Sequence, residues 1–246
     1  MKPISIIIPA LNEEDYLPRL LQSFTTQKYT GIYEIIIVDG NSTDNTAMVV
    51  NEYQKRLPNL FLYQSKRGVS RQRNYGARKA RYESLIFLDA DMELPKKSLS
   101  KIQKHFRIKS NFIAVPALFP YDWKIRDVFA FLASVILFWV VKNRYPIIAG
   151  MCIITTKQVH ERIQGFNENV VVAEDLDYGF RAFKSGAVYH MFFNILIRGS
   201  ARRLEKMGRL KLGRLWYKWY VHNIKNGPIT NSDTFEYEFG NFKIMK

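Results

Sequence analysis

Apolar residues in the first 95 positions fall in short runs separated by polar stretches. Ile4–Ile8, Glu34–Val38, Leu60–Tyr63 and Leu85–Leu88 are nearly uninterrupted. Runs of that length without alternation predict strands buried on both faces of a parallel sheet. The intervening segments carry helical signals. Pro9-Ala10-Leu11 is expected to break the first strand, and Asn12 to cap a helix reaching about Gln27, with Glu13, Glu14 and Asp15 complementing its dipole. Gly40–Asp44 is turn and cap chemistry before a helix to about Lys55, and Arg67-Gly68 opens a loop into a helix over Ser70–Arg81. Strands alternating with helices predict βαβ units and an α/β fold.

The pattern changes after Pro95. A helix is expected over Lys96–Arg107, a strand at Ile113–Val115, strand-like chain over Tyr145–Thr155, and a short helix capped by Thr156. After a turn at Gly165–Asn167 and the run Val170–Ala173, Glu174-Asp175 opens a helix with Leu176, Phe180 and Phe183 on one face. Val128–Val141 has no charge and is flanked by Lys124, Arg126, Lys142 and Arg144. As a helix it spans about 21 Å, short of the ~30 Å hydrocarbon core, so it is a buried core helix or one lying in a membrane interface. Arg202–Tyr220 interleaves cations with Leu, Met and aromatic residues, as a basic amphipathic helix does, although Gly208 and Gly213 weaken it. The tail from Gly227 is turn-rich and polar.

Composition adds a charge argument. The 246 residues carry 37 Lys and Arg against 22 Asp and Glu, a net charge of +15. That balance favours anionic partners: nucleic acid, membrane surface or phosphorylated substrates. A lone Cys152 excludes an intrachain disulfide framework and fits a reducing compartment. The apolar N-terminal run is too brief, and too soon followed by Glu13 and Glu14, for a signal peptide.

Candidate chemistry gathers at strand ends. Asp89 and Asp91 follow the fourth strand one residue apart, where ligands sit in open parallel sheets. Two hard oxygen donors on one side suit Mg²⁺ or Mn²⁺ shared with a diphosphate. Pro9–Glu13 and Asp39 end the first two strands, and Asp39 is placed to receive a ribose or base. Arg67, Arg71, Arg73 and Arg78 lie between the third and fourth strands, where a guanidinium can hold a diphosphate. In Glu174-Asp175, a carboxylate in a first helical turn is expected to stay ionised under the helix dipole. A dinucleotide-binding dehydrogenase would place G-x-G-x-x-G after the first strand, where this chain has P-A-L-N-E-E; a Walker loop is also missing.

Taken in order, Ser5–Glu14, Ile37–Thr46, Arg73–Ala77, Phe87–Asp91, Gly165–Glu168 and Glu174–Asp177 resemble a family 2 glycosyltransferase of the GT-A fold. The resemblance covers roughly residues 4–190. It implies a single GT-A type domain with a mostly parallel Rossmann-like sheet: residues 1–95 form the nucleotide-sugar half, 96–200 the acceptor half, and 201–246 a basic amphipathic helical extension. It implies that Pro9, Ala10, Leu11, Glu13 and Asp39 hold the nucleotide, with Arg73 and the Asp89-Ala90-Asp91 motif near the donor. Asp91, with Asp89, would bind Mg²⁺ or Mn²⁺, and Asp175 would be the catalytic base of an inverting transfer. Glu174, Arg67, Arg202 and Arg203 are candidates for further diphosphate or acceptor contacts. The implied partners are a nucleoside-diphosphate sugar and a glycan or lipid-linked hydroxyl acceptor, with no nucleic acid; the Val128–Val141 run and the basic Arg202–Tyr220 segment add an expected peripheral contact with an anionic membrane, on its cytoplasmic face.

Two departures matter. Many relatives place a His ligand after the last strand, where this chain has Ile197–Arg203 with His190 earlier. The D-x-[ST]-G-F-R segment of polyprenyl-phosphate mannose synthases is missing. A polyprenyl-phosphate acceptor remains the alternative, ahead of a nucleotidyltransferase or a non-enzymatic basic binder.

Overall fold

All seven residues of β1 (Ile4–Ala10) are buried, because the strand lies between two parallel neighbours and is covered on both faces. These neighbours are β2 (Tyr33–Asp39) and β4 (Ser84–Leu88). Successive side chains alternate between two cores. Ile4, Ile6 and Ile8 join Ile35, Ile37, Ile86 and Leu88 in one; Ile7, Ile36, Val38, Leu85 and Phe87 face the other. Pro9 does not break β1, which has Pro9 paired with Val38 and Ala10 with Asp39.

This computed structural model describes residues 2–108, 110–121, 140–141 and 144–231. Residues 128–139 of the Val128–Val141 run therefore lie outside the described residues. The other strands are β3 (Leu60–Gln64), β5 (Met92–Glu93), β6 (Phe112–Pro120), β7 (Cys152–Thr156) and β8 (Val188–Gly199). The eight strands are ordered β3-β2-β1-β4-β7-β6-β8-β5. Pairing is parallel from β3 to β4 and between β6 and β8, but antiparallel at β4–β7, β7–β6 and β8–β5. The second half is thus a mixed sheet rather than a continuation of βαβ units. The strand expected over Tyr145–Thr155 is confined to β7, which runs back against β4.

The helices whose bounds lie among the described residues are α1 (Leu17–Thr25), α2 (Thr46–Gln54), α3 (Val69–Lys79), α4 (Ser98–Ile108), α5 (Lys157–Arg162), α6 (Glu174–Lys184), α7 (Arg202–Met207) and α8 (Arg209–Asn226). Thr156 caps α5 as expected, accepting the Val159 N–H. Asn12 does not cap α1. It has φ +54°, and its Oδ1 accepts the Thr43 N–H at 2.8 Å. The N–H groups of Asn12, Glu13 and Glu14 donate to Ser42, Thr46 and Asp44. With those donors satisfied by the β2–α2 turn, the chain turns into helix only at Leu17. The basic C-terminal segment is two helices, broken at Gly208, whose φ of +78° few other residues adopt. Beyond Gly227, Ile229 is buried beside Trp219 and bridges to Val172.

Candidate active site

The buried face of α3 is largely polar: Ser70, Gln72, Arg73 and Asn74, with Gly76 and Ala77. Polar groups out of water need partners, and these side chains find theirs in distant strand ends and loops. Gln72 Nε2 donates to the carbonyls of Ala10 and Val38, lacing the ends of β1 and β2 together. Asn74 donates to the Phe166 carbonyl and accepts the Phe166 N–H, both at 2.8 Å, which fixes the Gly165–Asn167 turn. A Cβ on Gly76 would lie 2.4 Å from Ile7 Cγ2, so glycine lets α3 sit directly on β1.

Arg73 is 1% exposed and reaches three groups at once. Its guanidinium donates to Asp89 Oδ1 at 2.8 Å, Glu174 Oε1 at 2.9 Å and the Gly150 carbonyl at 2.9 Å. The Arg-Asn pair read from the sequence thus has its charge committed to two carboxylates, one after β4 and one opening α6. Asp175 follows Glu174. Its Oδ2 accepts the Gly150 N–H at 2.7 Å and its Oδ1 the Leu176 N–H at 2.9 Å. A Cβ at position 150 would come within 2.9 Å of Asp175 Oδ2. Burial, reinforced by the Glu174 charge, pushes the Asp175 carboxyl up to about 7. This differs from the expectation that Asp175 stays ionised: desolvation and the Glu174 charge outweigh Arg73 and both backbone donors.

The second acid of the pair, Asp91, is held from the other side. β5 pairs with the end of β8, which brings Ser200–Arg202 alongside. The Ser200 N–H donates to the Asp91 carbonyl, as does the Tyr121 hydroxyl. Arg202 Nε lies 3.1 Å from Asp91 Oδ2, while its Nη atoms donate to both oxygens of Glu13 at 2.7 and 3.0 Å. Burial pushes the Glu13 carboxyl up to about 7, against the pull of Arg202, and raises that of Asp91 as well.

These groups line one cavity of 1180 Å³. Its floor is the ends of β1 and β4 with Gly150; its walls are the N-terminal part of α3, the start of α6, and α7 with α8. Pro9–Glu13, Arg67, Asp89–Asp91, Glu174, Asp175, Arg202 and Arg203 all border it, so the structure brings together nearly every residue singled out from the sequence. Asp39 does not border it: its carboxylate accepts the Ser42 hydroxyl and N–H, which turns the chain after β2. His190 lies within β8 beside the Phe112 and Phe192 rings. The Gly150 backbone and Gln72, which also border the cavity, have no local motif to mark them, whereas the aromatic residues of α8 belong to the basic segment read from the sequence.

Among the described residues no group of three or more His, Cys, Asp or Glu is arranged to hold a metal. Asp89 and Asp91 fit a different mode, in which Mg²⁺ or Mn²⁺ takes one or two carboxylates and completes its shell with phosphate oxygens and water.

A mixed sheet with paired acids beyond its central strand and a further acid across the cleft is a GT-A arrangement. The family model described as Glycosyl transferase family 2 matches residues 5–151, and the chain belongs to that family. A curated relative from Methanococcus voltae, dolichyl N-acetyl-alpha-D-glucosaminyl phosphate 3-beta-D-2,3-diacetamido-2,3-dideoxy-beta-D-glucuronosyltransferase, is 30% identical over 76% of this chain and 63% of its own length. The chain spans less than two thirds of the length of the curated relatives it matches. Two solved structures share the fold. Mannosyltransferase PcManGT from Pyrobaculum calidifontis, in complex with GDP-Man and Mn²⁺, has a TM-score of 0.66 at 20% identity, covering 87% of this chain and 64% of that one. S. aureus TarS 1-349 in complex with UDP has a TM-score of 0.64 at 18% identity, covering 97% and 76%.

Proposed function

We propose that the chain transfers a sugar from a nucleoside-diphosphate sugar to an acceptor hydroxyl with inversion at the anomeric carbon. The observation that carries this reading is the convergence of Asp89, Asp91 and Asp175 on one cavity. The acceptor oxygen attacks the anomeric carbon as its proton passes to Asp175. The bond from that carbon to the diphosphate oxygen breaks, and the nucleoside diphosphate leaves with the electron pair. Asp91, with Asp89, would hold Mg²⁺ or Mn²⁺, which when bound supplies charge neutralisation for the departing diphosphate. Pro9–Glu13 contact the nucleotide, and Arg67 and Arg203 extend the positive border of the cavity.

The acceptor is a glycan on a lipid carrier. The Methanococcus voltae relative, named for a dolichyl-linked saccharide, supports this, as does the exposed surface of α8. There Leu210, Trp216 and Tyr217 are 78%, 44% and 67% exposed among Lys211, Arg214 and Lys218. No helix among the described residues is long and apolar enough to cross a membrane. The attachment in this reading is peripheral, through α8, on the cytoplasmic face. The arginines bordering the cavity, Arg67, Arg71, Arg203 and Arg209, favour a second reading in which the acceptor is a polyprenyl phosphate.

Thermal stabilisation across nucleoside diphosphates, with and without Mn²⁺, tests donor use. One nucleotide should raise the melting temperature, because a ligand selective for the folded state stabilises it by mass action. Asp91→Asn should keep the fold and lose the Mn²⁺-dependent part of the shift. Equal Mn²⁺-dependent stabilisation of Asp91→Asn and the parent would remove the metal role.

A further inference from the structure

The two acids of the Asp89-Ala90-Asp91 motif have different cations. Asp89 is paired with Arg73, whose side chain is 2% exposed and rises from the middle of α3. That partner is fixed by the fold. Asp91 is paired with Arg202, whose side chain is 16% exposed and is the first residue of α7. Arg202 also holds Glu13 with two hydrogen bonds and lies 4.5 Å from the Tyr16 ring centroid. α7 buries none of its six residues, and Gly208 separates it from α8. So the cation on Asp91 belongs to a lightly packed segment with a break behind it.

We propose that Arg202 is a tethered cation of the donor site, competing with a divalent metal for Asp91 and so coupling metal binding to the attachment of α7. The inference rests on the metal reading above. A divalent ion on Asp91 Oδ2 would sit beside a guanidinium nitrogen now 3.1 Å from that oxygen. Like charges at such range in a partly desolvated site repel strongly. Glu13 keeps a bidentate hold on the guanidinium, so Arg202 can give up Asp91 without entering water as an unpaired charge. The movement reaches the acceptor side, because α7 leads through Gly208 into α8, whose Leu212, Trp216 and Tyr220 border the same cavity. Arg202 is thus a positioning residue: it sets when Asp91 is available and where the C-terminal helices sit.

The test titrates MnCl₂ alone into the parent, Arg202→Gln and Arg202→Lys, reading free Mn²⁺ by electron paramagnetic resonance. Arg202→Gln is expected to bind Mn²⁺ at least about fivefold more tightly, the lower end of ordinary coupling between sites, with Arg202→Lys between it and the parent. Equal or weaker binding by Arg202→Gln overturns this proposal and leaves the metal reading standing. Binding to none of the three proteins also overturns this proposal, while the metal reading, which includes the diphosphate oxygens, stands or falls on the Mn²⁺-dependent nucleotide stabilisation above. Amide hydrogen exchange on the parent requires no substitution: residues 200–208 should exchange faster at saturating Mn²⁺. Unchanged exchange there overturns the coupling even if a variant folds poorly.

Discussion

Asp175 is subject to opposed influences whose balance sets its chemistry. Two backbone N–H groups favour its ionised form, while burial and the neighbouring Glu174 favour the protonated one, and the result is a carboxyl near 7. A base of that strength takes a proton more readily than an ordinary aspartate yet is ionised in much of the population at neutral pH. In the proposed role as base, only the ionised form can take the acceptor's proton. The sign is therefore fixed: kcat/KM should rise with pH up to about 7 and level off above it. A rate profile flat from pH 5 to 9, about two units either side of that value, would contradict the assignment. Asp175→Asn should lower kcat by roughly two to four orders of magnitude, the usual contribution of a general base. Donor affinity should change little, since the proposed role of Asp175 is on the acceptor. Near-normal transfer by Asp175→Asn would favour the polyprenyl-phosphate reading, because a phosphate nucleophile is already ionised.

Among the elements, α3 organises the site although it carries little apolar surface. Arg73 joins the β4 end to the α6 start, and removing one member of a buried ion pair leaves the others uncompensated. Arg73→Ala should therefore lose about 3–5 kcal/mol of stability in urea unfolding. Arg71→Ala, which removes an exposed pair with Glu168, should stay within about 1 kcal/mol. A loss at Arg73 no larger than at Arg71 would show that the network does not hold the fold. This element also marks what the sequence makes legible. β1, β2 and β4 are readable because a strand buried on both faces must be apolar throughout. The start of α3 is readable from Gly68 and Arg73-Asn74 from the family motif, but Gln72 is not, and by periodicity all three would pass for a solvated surface. Their partners are 16 to 101 residues away, at Asp89 and Glu174 for Arg73, and no local spacing encodes such separations. Asn12 misleads for a related reason: its cap chemistry is real, but it serves the β2–α2 turn instead of its own helix. The Glu13–Arg202 pair, 189 residues apart, is equally invisible along the chain.

At the scale of the whole molecule the net charge is +15, while six arginines balance six acids around the cleft, so the positive excess lies elsewhere on its surface. Part of it lies on α8. Leu210, Arg214 and Tyr217 follow one another at helical spacing, with Lys211 and Lys218 beside them, and the helix packs its opposite side, Leu212 and Trp219, into the protein. Exposed aromatic and aliphatic side chains among cations suit the headgroup region of an anionic bilayer. Because α8 also borders the cavity, a lipid-linked acceptor would meet Asp175 from the membrane side. The expected outcome is co-sedimentation with vesicles containing phosphatidylglycerol at low salt, falling as ionic strength rises because exposed charges are screened. Replacing Lys211, Arg214 and Lys218 together by Gln should lower partitioning roughly a hundredfold. Trp216→Ala with Tyr217→Ala should weaken the binding that remains at high salt, where the apolar contribution dominates. Both variants should keep the parent's thermal stability, since none of these side chains is buried. If the triple Gln variant sediments with anionic vesicles as fully as the parent, α8 is not the docking surface.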